Sequence, residues 1–240
     1  MKAYPRIPFF EIGIKNYIYG DKVLELALAA EAASIKYDID VMLITPYTEI
    51  RRVAENCKKL IIIAPYMDTL RPGRGMADVL PEAIKAAGAK GVVINHCERP
   101  MTFPEIKQTI ERAQELELLS FACADSIAES RAIAQLHPDI INPEPTELIG
   151  SAKTSGMNFV TETIRAIKSI YHDIIVEQAA GITTSRQVYD LIFAGAEGVG
   201  MASGIFKSPD PFRMIDEAVA GVRSAYNDRK KAGMKQEELS

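Results

Sequence analysis

A glutamate between two prolines is the residue whose setting most suggests chemistry. Pro143 and Pro145 flank Glu144, and each proline ring fixes its own φ. Pro145 also disfavours helical backbone at Glu144 itself. Gly150, six residues further on, can present its backbone N–H to an anion. The pattern indicates a carboxylate in a fixed position beside a loop that can close. Pro-Glu-Pro alone is more typical of a strand that ends in a turn, so Glu144 needs partners.

Other polar residues with chemical potential lie directly after short apolar runs. Lys15 follows the first run, and His96 and Glu98 follow the fourth. Turns rich in small residues follow the seventh and eighth runs, at Ala179-Ala180-Gly181 and Ala202-Ser203-Gly204. A cation, an imidazole and a carboxylate at one site can polarise a carbonyl group and move a proton from the adjacent carbon. Backbone N–H groups of the small turns can bind a phosphate. The predicted reaction is proton transfer on a phosphorylated carbonyl compound.

Short β-branched or apolar runs recur at regular intervals and predict eight strands. They are Phe9–Ile14, Val41–Thr45, Leu60–Ala64, Gly91–Asn95, Leu119–Cys123, Ile140–Pro143, Ile174–Glu177 and Gly198–Met201. Helical periodicity marks the segments between and after them: Val23–Ser34, Leu80–Ala87, Pro104–Leu116, Ser126–Leu136, Phe159–Ser169, Ser185–Ala194 and Phe212–Asn227. We expect Asp78 and Ser126 to cap helix starts and Gly88 and Gly195 to end helices.

Eight strands that alternate with helices predict an α/β fold, a closed (β/α)8 barrel rather than an open doubly wound sheet. No G-x-G-x-x-G pattern follows the first strand, which argues against a dinucleotide site. We expect residues 1–240 to form a single domain, with a frayed polar tail after about Asn227. Active sites of such barrels lie at the C-terminal ends of the strands, so the candidate residues belong to one site.

Composition argues against several classes of protein. Lys and Arg number 28 against 32 Asp and Glu, giving a net charge of -4, so nucleic acid is not an expected partner. No apolar segment reaches the roughly 18 residues of a spanning helix, and the N-terminus lacks a signal-peptide pattern, so no membrane and a cytoplasmic location are expected. Cys57, Cys97 and Cys123 have no zinc-site spacing, which favours reduced thiols and no metal.

Four segments resemble motifs of the triosephosphate isomerase family, most closely its short archaeal type. They occur in the family's order and read LPEAIKAAGAKGVVINH, NHCER, PEPTELIGS and GVGMASG. The resemblance runs from about Phe9 to Val222. It implies a TIM barrel that acts on a small phosphorylated sugar without cofactor or metal. It also implies a homo-oligomer, either a dimer or a tetramer.

The resemblance further implies a role for each candidate residue. Glu144 would move a proton between two carbons. His96 would be neutral, its pKa lowered by a helix N-terminus, and would polarise the carbonyl group. Lys15 would supply positive charge, and Glu98 would hold Lys15 in place. Backbone N–H groups would cradle the phosphate at Gly150, Ser151, Gly181, Ala202 and Ser203. The segment from residue 145 to about residue 152 would close over the substrate and exclude water.

Three departures from the family pattern bear on substrate and assembly. Gly13 stands where the family has an asparagine, which predicts free space and a lost hydrogen-bond donor. Cys97 replaces a serine, and a thiol is the weaker hydrogen-bonding group. Met76-Ala77 replaces a Thr-Gly pair in the loop that enters the partner subunit in this family.

The leading prediction is an aldose–ketose isomerase that interconverts dihydroxyacetone phosphate and D-glyceraldehyde 3-phosphate through an enediolate. The space expected at Gly13 motivates an alternative, the same chemistry on a longer ketose phosphate such as a tetrulose phosphate. A Schiff-base aldolase with Lys15 as nucleophile is a second alternative. The third is a barrel that binds phosphorylated sugars without catalysis, against which the joint presence of Lys15, His96, Glu98 and Glu144 speaks.

Overall fold

The computed structural model describes residues 2–146 and 156–233. Eight strands lie in this part of the chain: β1 Phe9–Gly13, β2 Val41–Ile44, β3 Ile61–Ala64, β4 Gly91–Ile94, β5 Leu119–Ala124, β6 Ile140–Pro143, β7 Ile175–Gln178 and β8 Gly198–Met201. Each strand pairs in parallel with the next, and β8 pairs with β1, which closes the barrel. The predicted α/β fold, a (β/α)8 barrel, is therefore confirmed.

Nine α-helices lie in the described ranges: α1 Asp21–Tyr37, α2 Ile50–Asn56, α3 Pro81–Ala87, α4 Phe103–Glu115, α5 Ile127–Ala134, α6 Met157–Lys168, α7 Ser185–Ala194, α8 Ser203–Phe206 and α9 Pro211–Lys231. The sequence prediction missed α2 and α8. Both helices have at most two turns, so neither is long enough for a 3.6-residue period to be recognised.

Three of the four predicted helix signals are confirmed. The hydroxyl of Ser126 accepts the N–H of Glu129 at 3.2 Å and caps α5. Two glycines with positive φ end α3 and α7 as predicted: Gly88 and Gly195. The predicted cap at Asp78 is wrong, because α3 begins at Pro81 and Asp78 is exposed in the preceding loop. A proline at the first helical position sets the required φ and has no N–H to satisfy.

The barrel interior is filled by alternate residues of the strands. The apolar ones form a buried cluster: Phe9, Met42, Ile61, Ile63, Val93, Leu119, Phe121, Cys123 and Ile140. Each large apolar side chain buried there stabilises the fold by roughly 1.5–3 kcal/mol. Gly198 of β8 leaves room for the ring of Phe9, with which a β-carbon at residue 198 would collide. The other strand face packs against the helices in a larger cluster.

The last helix, α9, continues past its predicted end at Asn227 and reaches Lys231. Arg229 explains the extension, since it is buried and its Nη1 donates to the carbonyl of Ile192 in α7 at 3.0 Å. The fraying expected after Asn227 is therefore corrected for residues 228–231, whereas residues 234–240 lie outside the described part. No helix in the described ranges is long and apolar enough to cross a membrane.

Candidate active site

A cavity of about 270 Å³ opens at the C-terminal ends of the barrel strands. It is lined by all the predicted site residues within the described ranges: Lys15, His96, Glu98, Glu144, Gly181, Ala202 and Ser203. The remaining two predicted residues, Gly150 and Ser151, lie outside those ranges. Residues distant in sequence thus meet at the mouth of one barrel, as the strand positions predicted.

Lys15 lies in the turn after β1, two residues beyond Gly13, and has a φ of 50°. Such left-handed backbone is uncommon outside glycine and recurs at functional sites. Its Nζ lies 3.3 Å from Oε1 of Glu98, whose side chain is 60% exposed, so the ion pair adds little stability. Burial by itself lowers the pKa of Lys15, but Glu98 and Glu144 more than offset this and raise it. Lys15 is therefore a cation at neutral pH, unlike the free amine that an aldolase nucleophile requires.

His96 presents a neutral imidazole to the cavity. Its Nδ1 accepts the backbone N–H of Glu98 at 3.1 Å, which assigns the ring proton to Nε2. Nε2 lies 3.8 Å from Oε2 of Glu144. Burial, assisted by the charge of Lys15, lowers the pKa of His96 to about 4. The cause differs from the predicted one: the N–H that faces Nδ1 belongs to a turn, and α4 begins only at Phe103.

Asn95 shapes the loop that carries His96. Its φ of 59° is left-handed, a conformation that asparagine tolerates better than most residues. Its Nδ2 donates to the carbonyl of Cys123 at 3.1 Å, and its Oδ1 accepts the N–H of Met101 at 3.0 Å. These bonds close the loop on both sides of His96 and tie it to β5.

A chain of hydrogen bonds joins the loops after β4, β5 and β6. Asn95 Nδ2 donates to Oε1 of Glu129 at 3.0 Å, and the N–H of Asp125 donates to Oε2 of Glu129 at 2.6 Å. Oδ1 of Asp125 in turn accepts the N–H of Thr146 at 2.6 Å. The network therefore fixes the backbone just after Glu144.

Glu144 follows β6 and is largely withdrawn from solvent, with 12% of its side chain exposed. Its N–H donates to the carbonyl of Ala124 at 2.7 Å, and Nδ2 of Asn142 reaches its Oε2 at 3.4 Å. Burial raises the pKa of Glu144 to about 7, against an opposing effect of Lys15 and with a further increase from Glu98. A carboxylate with a pKa near the working pH is suited to general base catalysis.

The turns after β7 and β8 form the remaining wall of the cavity. Gly181 has a φ of 69°, and Ala202 directly precedes α8, whose first residue is Ser203. Gly204 packs so closely on the carbonyl of Ile182 that a β-carbon at residue 204 would collide with it. The absence of a side chain there lets the two turns approach each other beside the cavity.

Comparison with known proteins agrees with this geometry. The model of the triosephosphate isomerase family matches residues 11–218. The chain belongs to that family. The triosephosphate isomerase of Sulfurisphaera tokodaii is 34% identical over 229 residues, which cover 93% of this chain and 99% of the relative. That of Saccharolobus solfataricus is 34% identical over 228 residues, 92% and 98% of the two chains. That of Methanocaldococcus jannaschii is 34% identical over 207 residues, 85% and 94%.

The departure from the triosephosphate isomerase pattern at Gly13 lies in the wall of the cavity, where two neighbouring side chains limit the space beside it. A β-carbon built at residue 13 would lie 3.3 Å from Oε1 of Glu11 and 3.5 Å from Cβ of Ala202. Glu11 and Ala202 therefore narrow the space that was expected at Gly13. The other departure at the site, Cys97, places its Sγ 3.9 Å from Nδ1 of His96.

Sequence reasoning missed three polar residues of the barrel interior. Glu11 and Asn142 line the cavity, and Glu177 lies beside Gly200, which also lines it. All three are at most 5% exposed. The signal was present in the sequence, because each polar residue interrupts an apolar strand, as in FFEIG and IVEQ. Carboxylates are rarely buried without a functional or structural reason.

Proposed function

We propose that this protein is an aldose–ketose isomerase that interconverts dihydroxyacetone phosphate and D-glyceraldehyde 3-phosphate through an enediolate. One observation carries the proposal: a buried carboxylate, a neutral imidazole and a lysine cation meet at one small cavity in a chain of the triosephosphate isomerase family. The relatives from Sulfurisphaera tokodaii, Saccharolobus solfataricus and Methanocaldococcus jannaschii, each named triosephosphate isomerase, support the same activity. In cells, the reaction belongs to glycolysis and gluconeogenesis.

Glu144 acts as the base in the proposed reaction. It removes a proton from the carbon next to the substrate carbonyl and returns it to the former carbonyl carbon. His96 donates the hydrogen of Nε2 to the carbonyl oxygen, on which negative charge develops. A neutral imidazole matches the low acidity of an enediol better than an imidazolium, and the lowered pKa of His96 supports this assignment.

Lys15 stabilises the negative charge of the phosphorylated substrate and of the enediolate. Glu98 acts through Lys15, since the 3.3 Å ion pair directs the ammonium group towards the cavity. The proposed chemistry is proton transfer between fixed side chains, for which the protein needs no cofactor or metal.

The phosphate group is held by backbone N–H groups in our proposal. Gly181, Ala202 and Ser203 line the cavity, and Gly150 and Ser151 complete the cradle when the segment from residue 145 to about residue 152 closes over the substrate. Closure excludes water and prevents loss of phosphate from the enediolate. The bond between Asp125 and Thr146 supports a fixed starting point for that segment.

The alternatives from the sequence receive less support. The longer ketose phosphate was motivated by free space at Gly13, which Glu11 and Ala202 narrow, and the relatives reported above are named triosephosphate isomerase. A barrel that binds its ligand without catalysis would not require a base such as Glu144, whose pKa is raised to about 7, beside the neutral imidazole of His96. The protonated state of Lys15 argues against the aldolase.

We also propose that the protein forms a homo-oligomer and works in the cytoplasm. Met76 is 94% exposed in the loop after β3, which favours burial against a second subunit. The described cysteines are all free, which suits a reducing compartment.

Proton NMR in deuterated water tests the proposed activity. Wild-type protein with dihydroxyacetone phosphate should form the aldehyde and incorporate deuterium at carbon. Glu144→Asp retracts the carboxylate by one methylene and should lower kcat by about 100-fold or more with little change in KM. Undiminished turnover in Glu144→Asp would remove Glu144 as the base. Absence of turnover in the wild type, with exchange on a tetrulose phosphate, would move the assignment to the longer substrate.

A further inference from the structure

Two carboxyl groups meet in the barrel interior at the floor of the active-site cavity. Glu11 of β1 is 5% exposed and Glu177 of β7 is fully buried. Both carboxyl groups lie beside Gly200 of β8. A β-carbon at residue 200 would collide with Oε2 of Glu11 and would lie 2.7 Å from Oε1 of Glu177. Gly200 therefore provides the space in which the two carboxyl groups approach each other.

The two carboxyl groups lack the hydrogen bonds that buried charges require. Oε1 of Glu11 and both carboxyl oxygens of Glu177 have no partner in the described part of the chain. Two adjacent buried carboxylates cannot both stay ionised at neutral pH. Burial raises the pKa of Glu11 well above its usual value, as does the charge of Glu144, while Lys15 opposes the rise. Burial and the charges of Glu11 and Glu144 likewise raise the pKa of Glu177.

Glu11 is the member of the pair that reaches the cavity. It lines the cavity together with Lys15 and Glu144, and its Oε1 lies 3.3 Å from the position that a β-carbon of residue 13 would occupy. Asn142, also buried and with an unpartnered Oδ1, lines the same floor. Unpartnered polar atoms on a cavity floor are what a polar ligand satisfies when it binds.

We propose that Glu11 contacts the substrate as a neutral carboxylic acid that donates a hydrogen bond to a substrate oxygen at the cavity floor. Glu177 is a positioning residue that keeps Glu11 neutral and orients its carboxyl group. The proposal rests on the isomerase function, since the reacting part of the substrate must lie beside Glu144. A neutral donor strengthens binding of an enediolate oxygen, whereas an additional carboxylate would repel an anionic substrate.

The proposal makes activity depend on the protonation of Glu11. Four groups face it: Glu177 from β7, Glu144 after β6, Lys15 after β1 and Cys123 of β5. The charge of Glu144, and that of Glu177 when it is ionised, disfavour ionisation of Glu11, and Lys15 favours it. Cys123 stays a neutral thiol, because burial raises its pKa. As pH rises and Glu11 loses its proton, the donor disappears and kcat/KM should fall.

Paired variants of the full-length protein test the donor. Glu11→Gln keeps an N–H donor but cannot ionise, and Glu11→Leu has a similar size but no donor. Isomerisation of dihydroxyacetone phosphate by Glu11→Gln should stay within about fivefold of wild type, and the alkaline fall in kcat/KM should disappear. Glu11→Leu should lose about 100-fold in kcat. Inhibition by inorganic phosphate should change less than twofold in both, because the phosphate end is untouched.

Glu177→Gln tests the positioning role by a readout that a purely structural residue would not move. It removes the neighbouring acid, so Glu11 should ionise more easily and the alkaline limb should shift to lower pH. An alkaline limb that does not shift in Glu177→Gln would overturn the role of Glu177.

Near-wild-type kcat in Glu11→Leu, or equal losses in Glu11→Leu and Glu11→Gln, would overturn the role of Glu11. Either result leaves wild-type turnover intact, so it is distinguishable from failure of the isomerase proposal. Thermal melts confirm that each variant is folded, and Glu11→Gln, the conservative variant, decides the donor question if Glu11→Leu does not fold.

Discussion

At the scale of single residues, the site combines two groups whose pKa values move in opposite directions for the same reason. Burial disfavours the charged form of both, so it raises the pKa of Glu144 to about 7 and lowers that of His96 to about 4. At neutral pH the carboxyl group can therefore accept a proton, and the imidazole can donate a hydrogen bond without carrying charge.

This arrangement predicts an acidic limb in the pH profile of kcat/KM. Activity should fall about tenfold per pH unit below about 7, because protonated Glu144 cannot act as a base. Glu98→Gln removes a charge that raises the pKa of Glu144, so the limb should move to lower pH. Steady-state rates between pH 5 and 9 measure the position of the limb in wild type and in Glu98→Gln. A difference between the two proteins cannot arise from titration of the substrate phosphate, because they share the substrate. A limb near pH 4.5 in wild type would contradict the raised pKa.

How far the sequence could predict the site depended on which direction each residue faces. Lys15, His96 and Glu144 follow strands, and every strand end of a barrel leads to the same mouth, so position along the chain was sufficient. Glu11 lies within a strand whose two faces are both buried. Alternation separates those faces but does not tell which one points into the barrel until the strands are paired in register.

At the scale of elements, the hydrogen-bond network after β4, β5 and β6 predicts a kinetic role for a residue outside the cavity. Asp125→Ala removes the acceptor of the Thr146 N–H, whose bond length is 2.6 Å. We expect kcat/KM to fall about tenfold, equivalent to roughly 1.4 kcal/mol, because the backbone beside Glu144 loses its anchor. Asp125→Asn retains a carbonyl oxygen at the same place and should retain most activity. Equal activity in Asp125→Ala and wild type would show that the anchor is unimportant.

Helix starts allow a direct comparison between a confirmed and a refuted sequence prediction. Ser126→Ala removes the cap of α5 and should lower the free energy of unfolding by about 1 kcal/mol. Asp78→Ala, at a position with the same cap-like sequence context but no capping role, should change it by less than about 0.5 kcal/mol. Urea unfolding followed by circular dichroism measures both. Similar losses would mean that Asp78 stabilises the loop before α3 in another way.

The same contrast shows what limits prediction at this scale. Strand positions were predicted to within about two residues, because β-branched runs bounded by turn residues are distinctive. Short helices such as α2 carry no periodic signal, and a cap is recognisable only when the first helical residue is known. The helix α3 begins at Pro81 and not just after Asp78, because the fixed φ of proline suits the first helical position.

At the scale of the whole molecule, exposure of Met76 predicts its burial in an assembly. Wild type should have a mass in light scattering that is a multiple of 26.4 kDa. Met76→Arg places a charge at the proposed contact and should shift the mass towards that of one chain. Ile35→Arg is the matched control, since Ile35 is also apolar and 61% exposed but belongs to α1 and not to the loop after β3. A monomeric wild type would refute the oligomer, and an unchanged mass for Met76→Arg would remove Met76 from the interface.

The buried acids of the barrel floor should also shape the stability of the molecule as a function of pH. The pKa of Glu177 is raised in the folded protein, whereas in the unfolded chain it is roughly 4.3. Between these values the folded state binds more protons than the unfolded state, so the free energy of unfolding decreases as pH rises. The decrease is at most about 1.4 kcal/mol per pH unit for one such group. Glu177→Gln removes this dependence.

We therefore expect the Tm of Glu177→Gln to fall less between pH 5 and 8 than that of wild type, by several degrees at about 2–4 °C per kcal/mol. Glu115→Gln serves as the control, because Arg71 lowers the pKa of the exposed Glu115 and it is ionised in both states across this range. The Tm of Glu115→Gln, plotted against pH, should run parallel to that of wild type. Parallel curves for Glu177→Gln as well would show that Glu177 titrates in the folded barrel as it does in the unfolded chain. In that case Glu177 would be ionised across this range, and its charge, together with burial and Glu144, would disfavour ionisation of Glu11.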